Sequence, residues 1–270
     1  MLDPGLFRVA PGSTVSLAEH DPDSKTGFEG KKAEGKAELP ALNARLALLQ
    51  EHLWAESEQS LLVVLQATDT GGKDGTIRHV FRGVNPQGVN VWSFGVPSEF
   101  ELAHDYLWRI HQRTPPKDSI TIFNRSHYED VLVVRVHNLV SEERWSKRYG
   151  QIRDFERMLV DEGTVVVKLF LHISKEEQLE RLRARLDDPE KSWKFRKGDL
   201  EDRELWDQFQ VAFQTAITET STDEAPWYVV PANRKWYRNL AISSILIDTL
   251  ERLDPQIPDP EPGLEGIVVI

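Results

Sequence analysis

The chain has 270 residues, 40% hydrophobic and 29% charged, an ordinary globular composition with ample length to bury a core. Its 33 Lys+Arg against 44 Asp+Glu leave a net charge of −11, which argues against a general nucleic-acid binder and leaves room only for a local basic patch. Cysteine is absent, so disulfides, thiolate metal sites and a cysteine nucleophile are excluded; no apolar run reaches membrane-spanning length, Met1–Gly5 lacks the pattern of a secretory leader, and a soluble cytoplasmic protein is expected.

Residues 1–38 read as an irregular arm, with Pro4, Pro11, Pro22 and scattered glycines. A helix is predicted from Pro40 to Glu56, because Leu42, Leu46, Leu49 and Leu53 share one face and Pro40 suits a first turn. Leu61–Gln66 is a continuous apolar run without helical period, the pattern of a strand buried on both faces. A glycine-containing turn and a helix from Lys73 follow. A second strand is predicted over Val89–Phe94, and Ser98–Glu101 has capping-box spacing. Ser119–Phe123 is a third strand, followed by Ser126–Glu129, again with capping-box spacing. Thr164–Leu171 is a fourth, with a cap at Ser174–Glu177, and Trp227–Val230 a fifth, closed by Pro231. A last helix spans Trp236–Leu253. Asp254–Glu265 holds four prolines and four acids and reads as an extended tail. Five buried strands alternating with helices imply an α/β fold with a parallel, doubly wound sheet and a ligand crevice at the carboxyl ends of its strands.

Three segments carry chemistry. The first is the loop Ala67-Thr68-Asp69-Thr70-Gly71-Gly72-Lys73-Asp74-Gly75-Thr76. Glycines let backbone N–H groups converge, the helix start adds partial positive charge, and Lys73 adds a full one, which together suit a phosphate chain. The spacing approximates a P-loop, with Ala67 in place of the first glycine and Asp74 where Ser or Thr would meet magnesium. Asp69 facing phosphate is tolerable with a metal between them. The second segment ends the third strand. Asn124 stands where P-loop folds usually place a metal-binding acid, and Arg125 can fork onto phosphate oxygens. Glu129 has two readings, a helix cap or a site acid. The third is Arg181–Lys197, with seven bases against three acids inside an acidic protein. It reads either as a solvated helix face or as a mobile lid whose cations neutralise phosphate.

These stretches, with Trp193-Lys194-Phe195 and Asp199-Leu200-Glu201 downstream and Ala225–Pro231 near the end, resemble the family-2 polyphosphate kinases over roughly residues 27–252. The resemblance implies a P-loop kinase-like three-layer sandwich with a five-stranded parallel sheet and a helical lid over about 175–222. The phosphotransferase domain would span 39–253, between the arm at 1–38 and the Pro-rich acidic tail at 254–270. It implies reversible phosphoryl transfer between inorganic polyphosphate and a nucleotide, with Mg²⁺ or Mn²⁺. Asp74 and the Asn-Arg-Ser-His-Tyr-Glu run look like class III, which accepts AMP and ADP, yields ATP and commonly forms tetramers; guanine nucleotides stay open. No nucleic acid and no membrane enter this scheme.

On that scheme Asp69, Lys73 and Arg125 are catalytic. Thr70, Gly71, Gly72, Asp74, Gly75 and Thr76 complete the phosphate cradle. Asn124 or Glu129 assists Asp69 at the metal, and Arg181, Arg185 and Lys194 line the polyphosphate path. Asp199 positions the lid or the metal. Trp193 or Phe195 either stacks on a base or packs the lid. The competing readings are an ATP-dependent nucleoside monophosphate kinase on the same fold, a non-catalytic polyanion or nucleotide sensor, and a basic segment used only as an oligomer contact.

Overall fold

The central strands are buried on both sides, so their apolar residues need no alternation with polar ones. In the computed structural model, which describes residues 1–264 and 267, Leu61, Val63 and Leu65 join one core while Leu62 and Val64 join the other. The five strands are β1 (Ser60–Gln66), β2 (Val89–Ser93), β3 (Ile120–Asn124), β4 (Thr164–His172) and β5 (Trp227–Pro231). They form one all-parallel sheet in the order β2-β3-β1-β4-β5.

The helices are α1 (Lys32–Glu56), α2 (Lys73–Val80), α3 (Glu99–Leu102), α4 (Trp108–His111), α5 (Val133–Val136), α6 (Glu142–Asp161), α7 (Lys175–Asp187), α8 (Gly198–Glu204), α9 (Trp206–Thr220) and α10 (Lys235–Leu253). α1, α2 and α10 cover one face of the sheet, and α5, α6 and α9 the other. β1 leads across β3 to β2, whereas β3 leads across β1 to β4. The connections therefore diverge between β1 and β3, where an open sheet leaves its crevice. Leu65 pairs with Asn124 there, and the Arg125 N–H donates to the Leu65 carbonyl (3.1 Å).

Three expectations change. The first long helix starts at Lys32, not Pro40, and Pro40 lies inside it. Helix propensity places proline at a start, but packing outweighs the lost bond. Gly35 sits so close to α10 that a Cβ would meet the Trp236 ring at 2.4 Å, and Glu34 accepts from the Lys31 N–H to close the first turn. The second strand is not buried: Val91 and Trp92 are exposed, because β2 is a sheet edge. The arm has two short 3₁₀ turns and docks on β5. The Val9 N–H donates to Trp227 O and the Val229 N–H to Phe7 O, and Phe7, Val9 and Leu17 are buried. The expected tail falls partly outside the described residues; within them 254–261 has neither helix nor strand, and the Gln256 N–H donates to Glu56.

One ionic knot is sealed beneath the sheet. Lys168 of β4 pairs with Glu156 of α6 and donates to the carbonyl of Thr220, the last residue of α9. The Tyr128 hydroxyl meets Glu156 (2.8 Å) and Thr220 Oγ1 (2.9 Å), and His127 Nε2 meets Glu156 (3.2 Å). The Lys168 and Glu156 side chains are no more than 1% exposed. Burial and the nearby lysine act on Glu156 in opposite senses, and the lysine and His127 win, holding the carboxyl below its ordinary range.

Candidate active site

The loop after β1 folds as a tight cradle for local steric reasons. A Cβ on Gly71 would fall 2.4 Å from the Ala67 Cβ, so alanine can replace the first glycine of the P-loop pattern only because residue 71 has no side chain. Thr70 and Gly72 take positive φ (59° and 103°), which turns the chain into α2. Lys73 is buried, and its Nζ donates back to Ala67 O (3.2 Å). Burial, then the Arg125 charge, pulls its pKa down to about 8, against the opposing pull of Asp69, Glu129 and Asp74.

Arg125, at the end of β3, also has positive φ (64°) and reaches Asp69 (2.7 Å) and Glu129 (3.3 Å). Those carboxylates, Glu129 first, hold its guanidinium firmly protonated. Glu129 is not a cap in this fold. Ser126 caps the following 3₁₀ turn (His127–Asp130) by accepting from the Tyr128 N–H, while Glu129 turns outward to Arg125 instead of capping. Asn124 Nδ2 donates to Asp74 Oδ1 (2.9 Å), and the other Asp74 oxygen meets Lys194 Nζ (3.0 Å). Burial pushes the Asp74 pKa up, but the bonds from Lys194 and Asn124 outweigh it and leave it lowered.

The segment over α7 to α9 borders this cradle, and Arg181 lines the cleft while being tied into the fold on every side. Its Nε meets Glu177, Nη1 meets Thr70 O and Gly71 O, and Nη2 meets Ala232 O and Asn233 O. All five guanidinium donors are therefore used within the fold. It bolts α7 to the phosphate loop and to the turn after β5. Arg185 and Lys194 also line the cleft, Arg185 tied to Asp199 (3.2 Å). Asp199 also accepts from the Arg196 N–H, so it braces the lid. Trp193 faces the cleft and is largely exposed.

Four residues of the site escaped the sequence reading. Arg238 of α10 is buried against the cradle, donating to Gly72 O (3.3 Å) and to Asn239 Oδ1 (2.8 and 3.2 Å). Burial, then Arg181, pulls its pKa down to about 9, with no acid beside it. Lys235 lines the cleft one turn earlier. Asp130, pushed up to about 6 by burial against the pull of Arg148 (2.9 Å), lies beside Glu129. Asp202 of α8 bonds His137 (2.7 Å) and lies against Asp69, burial raising its pKa. The only sequence signal for Arg238 is a cation set in an otherwise buried helix face.

All this opens into one cleft of about 1930 Å³. Its two sides differ. One, from Phe94 to Pro97 with Val133 and Leu139, is largely apolar. The other, formed by α1, the end of α2 and α10, presents Lys36, Arg82, Lys235 and Arg238 and no acid. None of these four makes an ion pair among the described residues, whereas Lys191 and Lys194 of the lid are paired with Asp188 and Asp74.

The oxygen donors suit a hard divalent cation. Asp69, Glu129 and the Asn124 amide offer oxygen atoms, and among the described residues the Thr68 hydroxyl is buried without a partner. Among the described residues no three acidic or imidazole groups gather into a cage. That fits an ion held by one or two carboxylates and completed by substrate phosphates.

The polyphosphate kinase 2 family model matches residues 29–258. The chain is 61% identical to the AMP/ADP-polyphosphate phosphotransferase of Meiothermus ruber, over 97% of this chain and 98% of that protein. It is 42% identical to the ADP-polyphosphate phosphotransferase of Rhodopseudomonas palustris, over 95% and 93%. The crystal structure of polyphosphate kinase 2 from Arthrobacter aurescens superimposes with a TM-score of 0.92 at 46% identity, covering 96% of this chain and 93% of that one.

Proposed function

The chain belongs to the polyphosphate kinase 2 family, and from that membership we propose that it moves a phosphoryl group reversibly between inorganic polyphosphate and AMP or ADP. The observation that carries this reading is the acid-free wall of Lys36, Arg82, Lys235 and Arg238 beside the cradle, positive charge that the fold leaves uncompensated. A donor of one or two phosphates would not need it; a long polyanion neutralises it along its length.

The acceptor's terminal phosphate oxygen is already ionised and attacks the terminal phosphorus of the chain in line. The bridging P–O bond breaks, and the shortened chain leaves with the displaced charge. No proton need move, so no nucleophile or base is required of the protein. Its task is to hold two anions together. Gly71 to Thr76 and Lys73 seat the phosphates about the transferred group, and Arg125 faces the charge that builds on it. Asp69, assisted by Asn124 or Glu129, would hold Mg²⁺ or Mn²⁺, which would supply charge neutralisation between the chains. Arg185 and Lys194 contribute from the lid, and Arg181 and Asp199 hold that lid in register. The apolar side receives the nucleoside. Assembly as a tetramer in the cytoplasm completes the reading.

The decisive assay supplies ADP, polyphosphate and Mg²⁺ without ATP. ATP is the expected product, AMP should yield ADP and then ATP, and GMP and GDP test the base slot in the same format. No product from any acceptor, with ATP and AMP giving ADP instead, overturns the reading in favour of an ATP-dependent kinase.

A further inference from the structure

The buried knot beneath the sheet is an expensive way to fill a core, since each buried ion carries a desolvation penalty. Its connections suggest what it holds. The residues between Arg125 and Glu129 point the other way: Ser126, His127 and Tyr128 are all 0% exposed. The 3₁₀ turn they form is four residues long, too short to be stable by itself. It starts from Arg125, held at positive φ, a conformation that is strained for a non-glycine residue. Something must hold this turn from below.

Three inward side chains do so. Ser126 Oγ accepts from Gln66 Nε2 at the end of β1 (3.1 Å). His127 and Tyr128 reach Glu156 of α6, and the Tyr128 hydroxyl also meets Lys168 Nζ (3.1 Å) and Thr220 Oγ1. Thr220 ends the helix that returns from the lid, and its hydroxyl also accepts from Trp227 Nε1 of β5 (2.9 Å). The same polar contacts thus fix the underside of the Arg125–Glu129 turn and the root of the lid.

We propose that Tyr128, Glu156 and Lys168 are positioning residues for the transfer reaction, registering Arg125 and Glu129 against the lid through the Tyr128 hydroxyl. None of the three lines the cleft. The inference rests on the proposed phosphotransfer, and two readouts separate its fate from that of the reaction.

Tyr128→Phe removes one oxygen and leaves the ring in place. The expected result is a fall in kcat per folded molecule on the order of tenfold, because misplacing a group by a fraction of an ångström reaches that size. KM for ADP and for polyphosphate should stay within about twofold of wild type. Independently of turnover, amide hydrogen exchange over 124–130 should quicken on the order of tenfold while β4 stays protected. A second variant removes both buried charges, Glu156→Leu with Lys168→Met, a replacement that is often neutral for stability. It should melt near wild type and still show reduced kcat. Wild-type kcat in Tyr128→Phe, or unchanged exchange over 124–130, overturns the proposal. A double variant with wild-type melting and wild-type kcat overturns it too. Absence of transfer by the wild-type chain instead defeats the proposed reaction, and the exchange experiment then decides the positioning alone.

Discussion

Two charge clusters meet at the turn after β3, one above the sheet edge and one beneath it. Below, Lys168, Glu156 and Tyr128 are matched: every charge has its counter-charge, and donors find acceptors on four separate elements. Above, the balance is left open. Lys73 and Arg238 are buried cations with depressed pKa values, and Lys36, Arg82 and Lys235 make no ion pair among the described residues. The same residue types serve opposite ends. A charge-matched cluster fixes a shape, whereas an unmatched one leaves charge for the polyanion of the proposed reaction.

Each substitution that follows breaks or sharpens that contrast. Lys168→Met alone leaves the Glu156 carboxylate buried without its lysine counter-charge, and about 3–5 kcal/mol of stability should be lost; urea unfolding measures it, and a loss under about 1 kcal/mol would mean the lower cluster is not a matched pair. Lys73→Ala is the mirror case. Transfer should fall on the order of 10²–10³-fold, while melting at pH 7 is unchanged or higher, because a buried charge without a full partner has been removed. Activity near wild type would show that the upper cluster is not the site.

The pH dependence of Lys73 sharpens the comparison further. Its folded pKa of about 8 lies below the ordinary 10.5, so the folded chain binds fewer protons than the unfolded chain between those values. The contribution of this residue to stability therefore rises with pH from about 8 to 10.5, and below 8 the protonated ammonium is a standing cost. Catalysis should move the opposite way. kcat/KM for polyphosphate should decline above about pH 8 as the free cradle loses its charge, and Lys73→Arg should shift that limb upward. A profile flat from pH 7 to 10 in the wild type contradicts the assignment.

The smallest effect concerns the lid. Asp74→Asn removes the acid that holds Lys194 and weakens its 3.0 Å tie across the cleft mouth. An exposed pair of this kind is worth about 0–1 kcal/mol, so KM for polyphosphate should change by no more than severalfold, with the salt dependence of KM altered. A thousandfold loss would move Asp74 from the lid contact to the reaction centre itself.

Much of this molecule was legible beforehand, and the failures share a cause. Apolar runs gave the five strands, and Ser98 and Ser174 cap where their spacing predicts, because the groups involved sit within a few residues. Ser126–Glu129 has the same spacing and does otherwise, since Glu129 finds Arg125. Pro40 looks like a helix start until Gly35 is seen packed under Trp236. Arg181 looks like a free lid cation until the fold brings four carbonyls to it from two distant turns.

The chain's order of letters determined what depends on near neighbours: the strand–loop–helix cradle, its glycines, and the kind of anion it attracts. Only the folded molecule decided which charges are cancelled and which are left for a ligand. Charge compensation is set by distance in space, and Lys168 with Glu156, Arg181 with Thr70, or Arg238 with Gly72 meet only after strands and helices far apart in the chain have packed. Local chemistry chose the parts, and long-range packing chose their partners.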